Sequence, residues 1–450
     1  MKNNLTPPLL ILLLCVTYSS KSQTWNSLFN GKNLDGWEVK GGTALFDVKD
    51  GEIIGKAVVN SPNTFLCTKE NFTDFILELE VFLPNDMNSG VQFRSNLDGN
   101  RVIGYQAEID PDGRRAWTGG IYDEGRRNWL YPLSRNEKGR SAFQLGRWNR
   151  IRIECLGNDI RTYINDIHTS WLIDDMTHEG FFGLQVHSIG PDKEGYSVRW
   201  KNINVLTENI RVFRNTPDPD VTQISYLKNE LTEWEKNKGF RLLWDGETTN
   251  GWRGAKLDRF PKSGWTIQDG ILTIEATDGG ESTGPGDIVT TRNYGNFELE
   301  LEFRFTEGAN SGIKYFVDPS LNQGAGSAIG CEFQILDDQL HPDAKKGVEG
   351  NRTLGSLYDL IAKDPPSKWR LKGPNRWQKA RIVSKDGQVE HWLNNELVVT
   401  YDRYSQMFDA LVNYSKYQKW EHFGRWPEGL ILLQDHGDEV NFRSIKIREL

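Results

Sequence analysis

The sequence is poor in the residues that build metal centres and disulfide scaffolds. Its 450 residues include 4 cysteines and 7 histidines. Cys67, Cys155 and Cys331 remain after the N-terminal segment, an odd number without any C-x-x-C spacing. The cysteine pattern therefore supports neither a disulfide framework nor a cysteine zinc site.

The sequence also lacks segments in which charges of one sign dominate, and it lacks long apolar runs. The formal net charge is -8, and acidic and basic residues are mixed along the chain, so no basic stripe indicates binding to nucleic acid. The apolar run from Leu9 to Val16 is too short to span a bilayer, and no later stretch approaches about 18 apolar residues. We therefore expect a neutral partner, no nucleic acid and no insertion into a membrane.

The N-terminus has the pattern of a secretory signal peptide. A basic residue precedes the apolar run, and Ser20-Lys21-Ser22 provides a small-x-small cleavage pattern before Gln23. Cys15 does not indicate a lipoprotein, because Leu14 occupies a position where a small residue is needed. We predict that residues 1–22 are removed and that the protein is periplasmic or secreted.

Helical periodicity is nearly absent, whereas short alternating runs occur in two copies. The order of the matching segments is the same in both copies, which indicates an internal duplication. The segments that correspond are 28–31 and 243–246, 46–51 and 265–270, 75–82 and 297–304, 88–90 and 310–312, 119–123 and 355–359, and 184–187 and 433–436.

Each copy has the pattern of a β-sandwich. Its runs are rich in Ile, Val, Leu and Phe and are separated by Asp-Gly and Asn-Gly pairs, which predict strands and tight turns. Many strands in about 200 residues favour two packed antiparallel sheets in a jelly roll. We predict an all-β protein with two tandem jelly-roll β-sandwiches, copy one over 24–206 and copy two over 239–450. Residues 207–238 form a short linker, with a helix predicted from Val221 to about Asn237.

One strand in each copy carries polar residues at alternate positions. In copy two, Glu332, Gln334 and Asp338 share one face, and apolar residues occupy the other. In copy one, Gln106 and Glu108 stand in the corresponding strand. One face of each strand can therefore pack in a core while the other binds a ligand or reacts.

Neighbouring strands extend this polar face if they pair in one sheet. A Gln-x-His pair occurs in both copies, and a cation or amide follows each N-S-G turn. A solvated sheet face with a satisfied histidine is the alternative interpretation. The candidate site residues are Lys314, Glu332, Gln334, Asp338, Tyr358, His391, Gln434 and His436 in copy two, and Gln92, Arg94, Gln106, Glu108, Tyr122, Gln185 and His187 in copy one.

Several motifs resemble the bacterial 3-keto-disaccharide hydrolase family, also described as 3-keto-glucoside 1,2-lyases and 3-keto-2-hydroxyglucal hydratases. They are the N-S-G turn, the G-x-E-x-Q-I-L-D strand, the L-Y-D segment, the R-W-x-x-x-R-I strand and the closing L-L-Q-D-H-G-D segment. The resemblance covers nearly the whole chain after the signal peptide and is stronger in copy two. Copy one differs in having Gln106-x-Glu108 in place of Glu332-x-Gln334, and it lacks a counterpart of Asp435. The family implies a concanavalin-like jelly roll that acts on sugars oxidised at C3.

The chemistry that the resemblance implies is an elimination. A ketone at C3 acidifies the C2 proton, so a base can remove it, and the enolate then expels the C1 substituent. Such a site needs a base of near-neutral pKa and a donor for the enolate oxygen. The resemblance implies His436 as the base and Lys314 as the donor, with Glu332 as an alternative base or as a group that orients the histidine. Gln334 and Gln434 would hold sugar hydroxyls, and added water would complete a net hydrolysis.

Two other functions remain open at this level. A retaining glycosidase needs two carboxylates flanking the glycosidic bond, and Glu108-Ile109-Asp110-Pro111-Asp112 is a faint match to the active strand of jelly-roll glucanases. A lectin-like module that binds sugar without chemistry is the other function, especially for copy one. Which copy is active also stays open.

The sequence does not identify a cofactor. Asp337, Asp338, His341 and Asp343 form a D-D-x-x-H-x-D cluster that leaves a divalent metal open, although it lacks the spacing of a calcium loop. His391 adjoins Trp392, which could stack on a sugar or fill the core. Strand alternation places these two neighbours on opposite faces.

Overall fold

The computed structural model describes part of the chain, namely residues 24–111, 115–277, 280–281, 284–364 and 372–450. The predicted signal peptide, Cys15 and Asp112 lie outside the described residues. Strands dominate both copies, so the prediction of an all-β chain is confirmed. Within the described residues, no helix combines the length and the apolar content needed to span a membrane.

The strands of copy one are divided between the two sheets of a sandwich. They are β1 (Asn26–Ser27), β2 (Trp37–Gly41), β3 (Leu45–Lys49), β4 (Glu52–Lys56), β5 (Thr64–Thr68), β6 (Phe75–Phe82), β7 (Ser89–Asp98), β8 (Arg101–Ile109), β9 (Ile121–Glu124), β10 (Asn128–Tyr131), β11 (Trp148–Leu156), β12 (Asp159–Ile164), β13 (Ile167–Ile173), β14 (Phe181–Val186) and β15 (Ser197–Leu206), and β16 (Gln223–Ser225) follows in the linker.

Copy two repeats the same plan. Its strands are β17 (Arg241–Leu242), β18 (Trp252–Gly254), β19 (Trp265–Gln268), β20 (Ile271–Ile274), β21 (Ile288–Thr290), β22 (Phe297–Phe305), β23 (Asn310–Asp318), β24 (Ile329–Leu336), β25 (Gln378–Lys385), β26 (Gln388–Leu393), β27 (Glu396–Asp402), β28 (Leu430–Leu433) and β29 (Val440–Glu449).

Helices are short and lie between strands. The α-helices are α1 (Glu137–Arg140), α2 (Ile210–Phe213), α3 (Glu233–Asn237) and α4 (Gln406–Asn413), and 3₁₀ turns occur at Leu133–Arg135, Pro191–Lys193, Pro319–Leu321, Pro342–Lys345 and Lys416–Lys419.

Two sheets face each other in each copy. In copy one their orders are β16-β13-β12-β11-β6-β15-β4-β3, with β1 beside β15, and β10-β9-β8-β7-β14-β5-β2. In copy two the orders are β19-β20-β29-β22-β25-β26-β27, with β17 beside β29, and β18-β21-β28-β23-β24. The equivalent strands β7, β8 and β14 of copy one and β23, β24 and β28 of copy two hold the same places, as the duplication requires.

Each sandwich encloses its own apolar core. The fully buried aromatic rings include Phe75 and Trp200 in copy one and Phe297 and Phe303 in copy two. These rings stand at positions of their strands that point between the two sheets. Because successive side chains of a strand point to opposite faces, apolar and polar residues alternate in the strand sequences. The described cysteines are buried free thiols, with Cys155 and Cys331 in these cores and Cys67 in a smaller apolar cluster beside Phe65.

The linker helix is shorter than predicted. Residues 223–225 form β16, which pairs in parallel with β13, and only α3 is helical near the predicted segment. Val221 and Ile224 are buried in the copy-one core, so their apolar spacing serves a strand that extends the sheet. The helix begins instead at Thr232, which forms a capping box with Glu235.

The two copies contact each other through polar side chains. The Lys446 ammonium forms a buried ion pair with Glu235 of the linker helix. Lys379 donates to the Ser225 carbonyl at 3.0 Å, and Asn395 donates to the Leu130 carbonyl at 3.1 Å. These bonds attach the large sheet of copy two to the linker and to copy one.

Candidate active site

The smaller sheet of copy two brings the predicted polar residues together. Strand β23 pairs with β24 so that Lys314 lies opposite Glu332, and Gly312 lies opposite Gln334. On its other side β23 pairs with β28, which leads directly into Gln434. Alternation along paired strands therefore places these side chains on one outer face of the sheet.

The glycine of the N-S-G turn makes room for the carboxylate. A Cβ atom on Gly312 would lie 2.3 Å from Glu332 Oε1. In copy one, a Cβ atom on Gly90 would lie 2.3 Å from the Gln106 side-chain amide carbon. A side chain at either glycine would thus force the neighbouring Glu332 or Gln106 side chain to move, although neither glycine has a positive φ.

Lys314 holds Glu332 in a buried ion pair. The Lys314 ammonium lies 3.6 Å from Glu332 Oε2, and both side chains are almost fully buried. Lys314 also donates to Ser327 Oγ at 2.5 Å and to the Ala328 carbonyl at 3.3 Å. Ser327 in turn donates to Asp287 at 2.6 Å. The ammonium is therefore fixed by acceptors on several sides.

A small inner cavity of about 30 Å³ lies over the Glu332 carboxylate, and Lys314 lines the neighbouring outer cleft. The outer cleft of about 280 Å³ adjoins the inner cavity. Glu281 and Lys416 line both spaces. The inner cavity is lined by Glu281, Asn310, Glu332, Gln334, Tyr358, Lys416, Gln434 and His436.

The charges around the inner cavity shift each other's ionisation. Burial raises the pKa of Glu332, although Lys314 and Lys416 oppose the rise. Burial also works against ionisation of Glu281, but Lys314 and Lys416 outweigh it and lower the pKa of that carboxyl. Burial lowers the pKa of Lys416. Glu332 is thus a more basic carboxylate than Glu281, with an ammonium nearby.

Two amide oxygens in the cavity wall have no partner. Gln334 Oε1 and Gln434 Oε1 are buried, and among the described residues neither accepts a hydrogen bond. Their amide nitrogens are used, since Gln334 donates to Asn310 at 3.3 Å and Gln434 donates to Glu281 at 3.1 Å. Buried acceptors of this kind are normally satisfied, so these oxygens are suited to ligand hydroxyls.

His436 lines the inner cavity from the end of β28. The Asn310 amide nitrogen lies 3.3 Å from His436 Nε2, while Asn310 Oδ1 accepts from Gln334. This amide orientation makes Asn310 a donor to the ring nitrogen, so Nδ1 carries the histidine proton. His436 therefore lines the same cavity as Glu332, but its Nε2 is already engaged.

Tyr358 and Lys416 reach the cavity from loops. The L-Y-D segment pairs with the edge of β24, where Tyr358 N donates to the Glu332 carbonyl at 3.0 Å. The Tyr358 hydroxyl donates to Asp343 at 2.8 Å, and the Lys416 ammonium lies 4.4 Å from the Tyr358 ring centre. Lys416 begins a 3₁₀ turn that buried Tyr417 anchors by stacking on Phe423 at 4.0 Å.

Two predicted ligand residues of copy two make structural contacts. Asp338 accepts from the Lys363 ammonium at 2.6 Å and from Leu354 N at 2.7 Å, so it fastens a loop. His391 is wholly buried between the sheets and lies 2.7 Å from the Tyr315 hydroxyl. Burial lowers the pKa of His391 to about 4. The prediction that His391 binds substrate is wrong, because β26 turns it inward to the core, whereas a substrate contact of Asp338 stays a prediction.

Trp392, on the opposite face of β26, faces cations. The Arg381 guanidinium lies 4.9 Å and that of Arg135 lies 5.7 Å from its ring centre. Its ring therefore packs where the copies meet, and stacking on a sugar has no support there.

The acidic cluster after β24 is used in structural contacts. Asp337 accepts from Gly308 N at 2.9 Å, and Asp343 contacts Arg352 at 3.1 Å. Across the described ranges, no group of three or more His, Cys, Asp or Glu side chains is placed to hold a metal ion.

Copy one builds a related but differently charged cleft of about 380 Å³. Gln92 and Gln106 are hydrogen-bonded at 2.8 Å where copy two has Lys314 and Glu332. Glu108 accepts from Gln106 at 2.8 Å, and burial raises its pKa to about 7. The copy-one cleft also includes Asn88, Tyr122, Trp129, Gln185 and His187.

Arg94 does not belong to the copy-one cleft. Its buried guanidinium donates to the Thr73 carbonyl at 2.8 Å, to the Gly157 carbonyl at 2.7 Å and to Asp74 at 3.1 Å. Its prediction as a substrate ligand is therefore wrong, and the reason is an irregularity in the β7 pairing between Phe93 and Asn96. Arg94 itself has a φ of 46°, and this conformation breaks the alternation that the prediction assumed.

Sequence reasoning missed Glu281, Lys416 and Asn310. The first two come from loops without any periodicity, so strand alternation contains no information about them. Asn310 belongs to the duplicated N-S-G motif, and its counterpart Asn88 donates to Glu108 at 2.6 Å. The recurrence of this asparagine in both copies was the feature of the sequence that indicated a role in the site.

Comparisons with known proteins agree with the duplication. A family model described as the 3-keto-alpha-glucoside-1,2-lyase-like domain matches residues 24–206 and 239–448. A 3-keto-disaccharide hydrolase of Bacteroides thetaiotaomicron is 36% identical over 236 residues, which is 47% of this chain and 79% of the relative.

Solved structures with similarity to the chain each span about one copy. One, from Parabacteroides distasonis and provisionally called a glycosyl hydrolase, is 29% identical, covers 50% of this chain and 99% of its own, and has a TM-score of 0.44. A carbohydrate-binding module of Bacillus subtilis is 16% identical, covers 38% of this chain and 95% of its own, and has a TM-score of 0.28.

Proposed function

Since the chain belongs to the family of 3-keto-alpha-glucoside-1,2-lyase-like domains, we propose that it is a carbohydrate-active enzyme that cleaves 3-keto-glycosides by elimination, with copy two as its main site. The observation that carries this proposal is the buried Glu332 carboxylate over a cavity that also presents an ammonium. A base beside a cation suits removal of a proton next to a ketone. The name of the Bacteroides relative supports the same class of substrate.

The first step is removal of the C2 proton. Glu332 is the better base, because burial raises its pKa and because Asn310 already occupies His436 Nε2. The C2–H bond breaks, its electron pair forms a double bond to C3, and the keto oxygen becomes an enolate. His436, on the same cavity wall, is the alternative base and otherwise bonds to the sugar.

The second step is loss of the C1 substituent. The enolate electrons return to form the C3 carbonyl, a C1–C2 double bond appears, the C1–O bond breaks, and the departing oxygen takes the proton that Glu332 removed. Lys416 stabilises the enolate, since its ammonium borders both cavities and makes no ion pair or hydrogen bond within the described parts of the chain. Lys314 positions the Glu332 carboxylate, to which it is paired. Addition of water across the double bond then gives net hydrolysis.

The amide oxygens of the cavity hold the sugar. Gln334 Oε1 and Gln434 Oε1 accept hydroxyl hydrogens of the sugar, since no donor among the described residues reaches them. Each such bond contributes about 1 kcal/mol, with a larger cost when a buried acceptor stays empty. These contacts form in the ground state, so their loss should raise KM more than it lowers kcat.

A retaining glycosidase is the second candidate, because Glu281 and Glu332 both line the inner cavity. That mechanism needs no ketone and leaves the C2 hydrogen in place. An elimination requires the ketone and exchanges or loses that hydrogen. Comparing a glucoside with its 3-keto derivative, with deuterium at C2, separates the two.

We also propose that the enzyme is exported, on the basis of the N-terminal pattern. A periplasmic or extracellular location would place it where glycosides enter.

The decisive test is Glu332→Gln in the full mature chain. We expect kcat for aglycone release from a 3-keto-glucoside to fall about 10²-fold or more, because the base is lost. Glu307→Gln, an exposed carboxylate in the same copy, is the matched control and should behave like the wild type. Undiminished release by Glu332→Gln would contradict the proposed site.

A further inference from the structure

We propose that copy one holds a second proton-transfer site, in which the Glu108 carboxyl donates to the keto oxygen of an uncharged ketosugar while His187 takes the proton from the adjacent carbon. The choice of a ketosugar rests on the proposed function. The site itself rests on the contacts of the copy-one cleft, which differ in charge from those of copy two.

The carboxyl of copy one has moved along its strand. Gln106 lies opposite Gln92, the place that Glu332 and Lys314 occupy in copy two, whereas Glu108 lies opposite Gly90. The buried ion pair of copy two is thus replaced by two amides hydrogen-bonded at 2.8 Å. Copy one retains an acid group, but it stands two residues further along the strand and without a lysine beside it.

A directed chain of hydrogen bonds ends on Glu108. Ser95 donates to Gln92 at 2.6 Å, Gln92 to Gln106 at 2.8 Å, and Gln106 to Glu108 Oε2 at 2.8 Å. Asn88 donates to Glu108 Oε1 at 2.6 Å. These amides hold the carboxyl in one orientation, and Glu108 makes no ion pair with any residue that the structure describes.

The surroundings favour a proton on Glu108 near neutral pH. Burial raises its pKa to about 7, the Asn88 and Gln106 bonds oppose this, and Asp110 and Glu124 add to it. Arg115, another charged residue that lines this cleft, pairs with Asp110 at 2.8 Å. A neutral carboxyl of this kind can donate a hydrogen bond to an oxygen that gains negative charge, the role proposed for the Lys416 ammonium in copy two.

His187 presents a ring nitrogen, Nε2, that makes no hydrogen bond with the residues that the structure describes. Its Nδ1 lies 2.8 Å from the Ser188 carbonyl oxygen, which can only accept, so Nδ1 carries the proton and Nε2 keeps its lone pair. Burial lowers the pKa of His187, and the ring is therefore neutral at neutral pH. His436 in copy two differs, because Asn310 engages its Nε2.

The cleft is built for a polyhydroxyl ligand. Gln185 Oε1 is buried, lines the cleft and accepts no hydrogen bond within the described part of the chain, so it is available for a sugar hydroxyl. Tyr122 and Trp129 add aromatic surface to the same cleft. The volume of about 380 Å³ is within the range of small-ligand sites.

The step balances without a further reactant. The C–H bond next to the ketone breaks and its proton goes to His187 Nε2. The electron pair forms the C=C bond of an enol, whose oxygen takes the Glu108 proton. Reversal returns one proton to carbon and one to Glu108, and in heavy water the carbon gains deuterium.

The test measures deuterium exchange at the carbon next to the ketone of methyl 3-keto-α-glucoside, by NMR, with the full chain. Glu332→Gln silences copy two, and we expect exchange above that of buffer to persist. Adding Glu108→Gln should reduce this exchange about 10²-fold, and His187→Ala should reduce it similarly. Adding Glu70→Gln instead, at an exposed site of copy one, should not change it.

The pH dependence gives an independent readout. Because Glu108 must be protonated, exchange by the Glu332→Gln protein should fall as pH rises through about 7. If Glu332→Gln alone abolishes both exchange and cleavage, the second site is overturned and the proposed function stands. Cleavage that survives Glu332→Gln and is lost with Glu108→Gln overturns the copy-two assignment and supports the copy-one site.

Discussion

Replacing Gly312 with alanine should disable copy two while leaving the backbone unchanged. The residue does not have a positive φ, so alanine causes no backbone strain there. The added Cβ would lie 2.3 Å from Glu332 Oε1, whereas ordinary contacts begin near 3.4 Å. The carboxylate must therefore shift by about 1 Å, away from the position in which Lys314 holds it.

A shift of this size is enough to impair proton removal. A misplacement of about 1 Å can cost about 10²-fold in rate, equivalent to about 2.7 kcal/mol in the activation free energy. Overpacking of a buried site also costs about 1–3 kcal/mol of folding stability. Gly312→Ala should thus lower kcat about 10²-fold and lower Tm by several degrees.

The matched control is Gly90→Ala in copy one. Its Cβ would meet the Gln106 side chain at the same distance of 2.3 Å, so the cost of overpacking is comparable. Aglycone release and Tm would be measured for both variants. Gly90→Ala should lose stability but keep the kcat for release, and wild-type kcat in Gly312→Ala would refute the assignment of Glu332 as the base.

Further predictions concern ionisation, packing and processing. Because burial raises the pKa of Glu332 and the base acts ionised, kcat/KM should rise with pH through a value above 4.5, which a pH–rate profile would show. Lys416→Met should lower kcat about 10²–10³-fold, whereas Lys262→Met at an exposed site should not, and equal rates would exclude the ammonium from the enolate step. His391→Leu should reduce the free energy of unfolding by about 1–3 kcal/mol in denaturant titrations without changing KM. A raised KM would show that His391 contacts the substrate. Mass spectrometry of the exported protein should find Gln23 at the N-terminus, and any other first residue would contradict the predicted cleavage.

The duplicated β plan and half of the candidate site follow from the sequence alone. Side chains of a paired strand alternate strictly, so Glu332, Gln334 and Lys314 had to share a face once their strands paired. The repeated segments fixed which strands were equivalent in the two copies. The same rule failed at Arg94 because an irregular pairing breaks the alternation, and local sequence does not reveal where a sheet bulges.

The tertiary structure decided the paths of the loops that carry Lys416 and Glu281 and which side of each sheet faces a core. Lys416 and Glu281 reach the cavity from segments whose paths are set by distant contacts, such as the packing of Tyr417. His391 could have faced a ligand or the core, and only the stacking of the two sheets turns it inward. The difference between the copies also required the fold, because the pKa of Glu108 or Glu332 depends on its burial and on which neighbours are amides or ammonium groups.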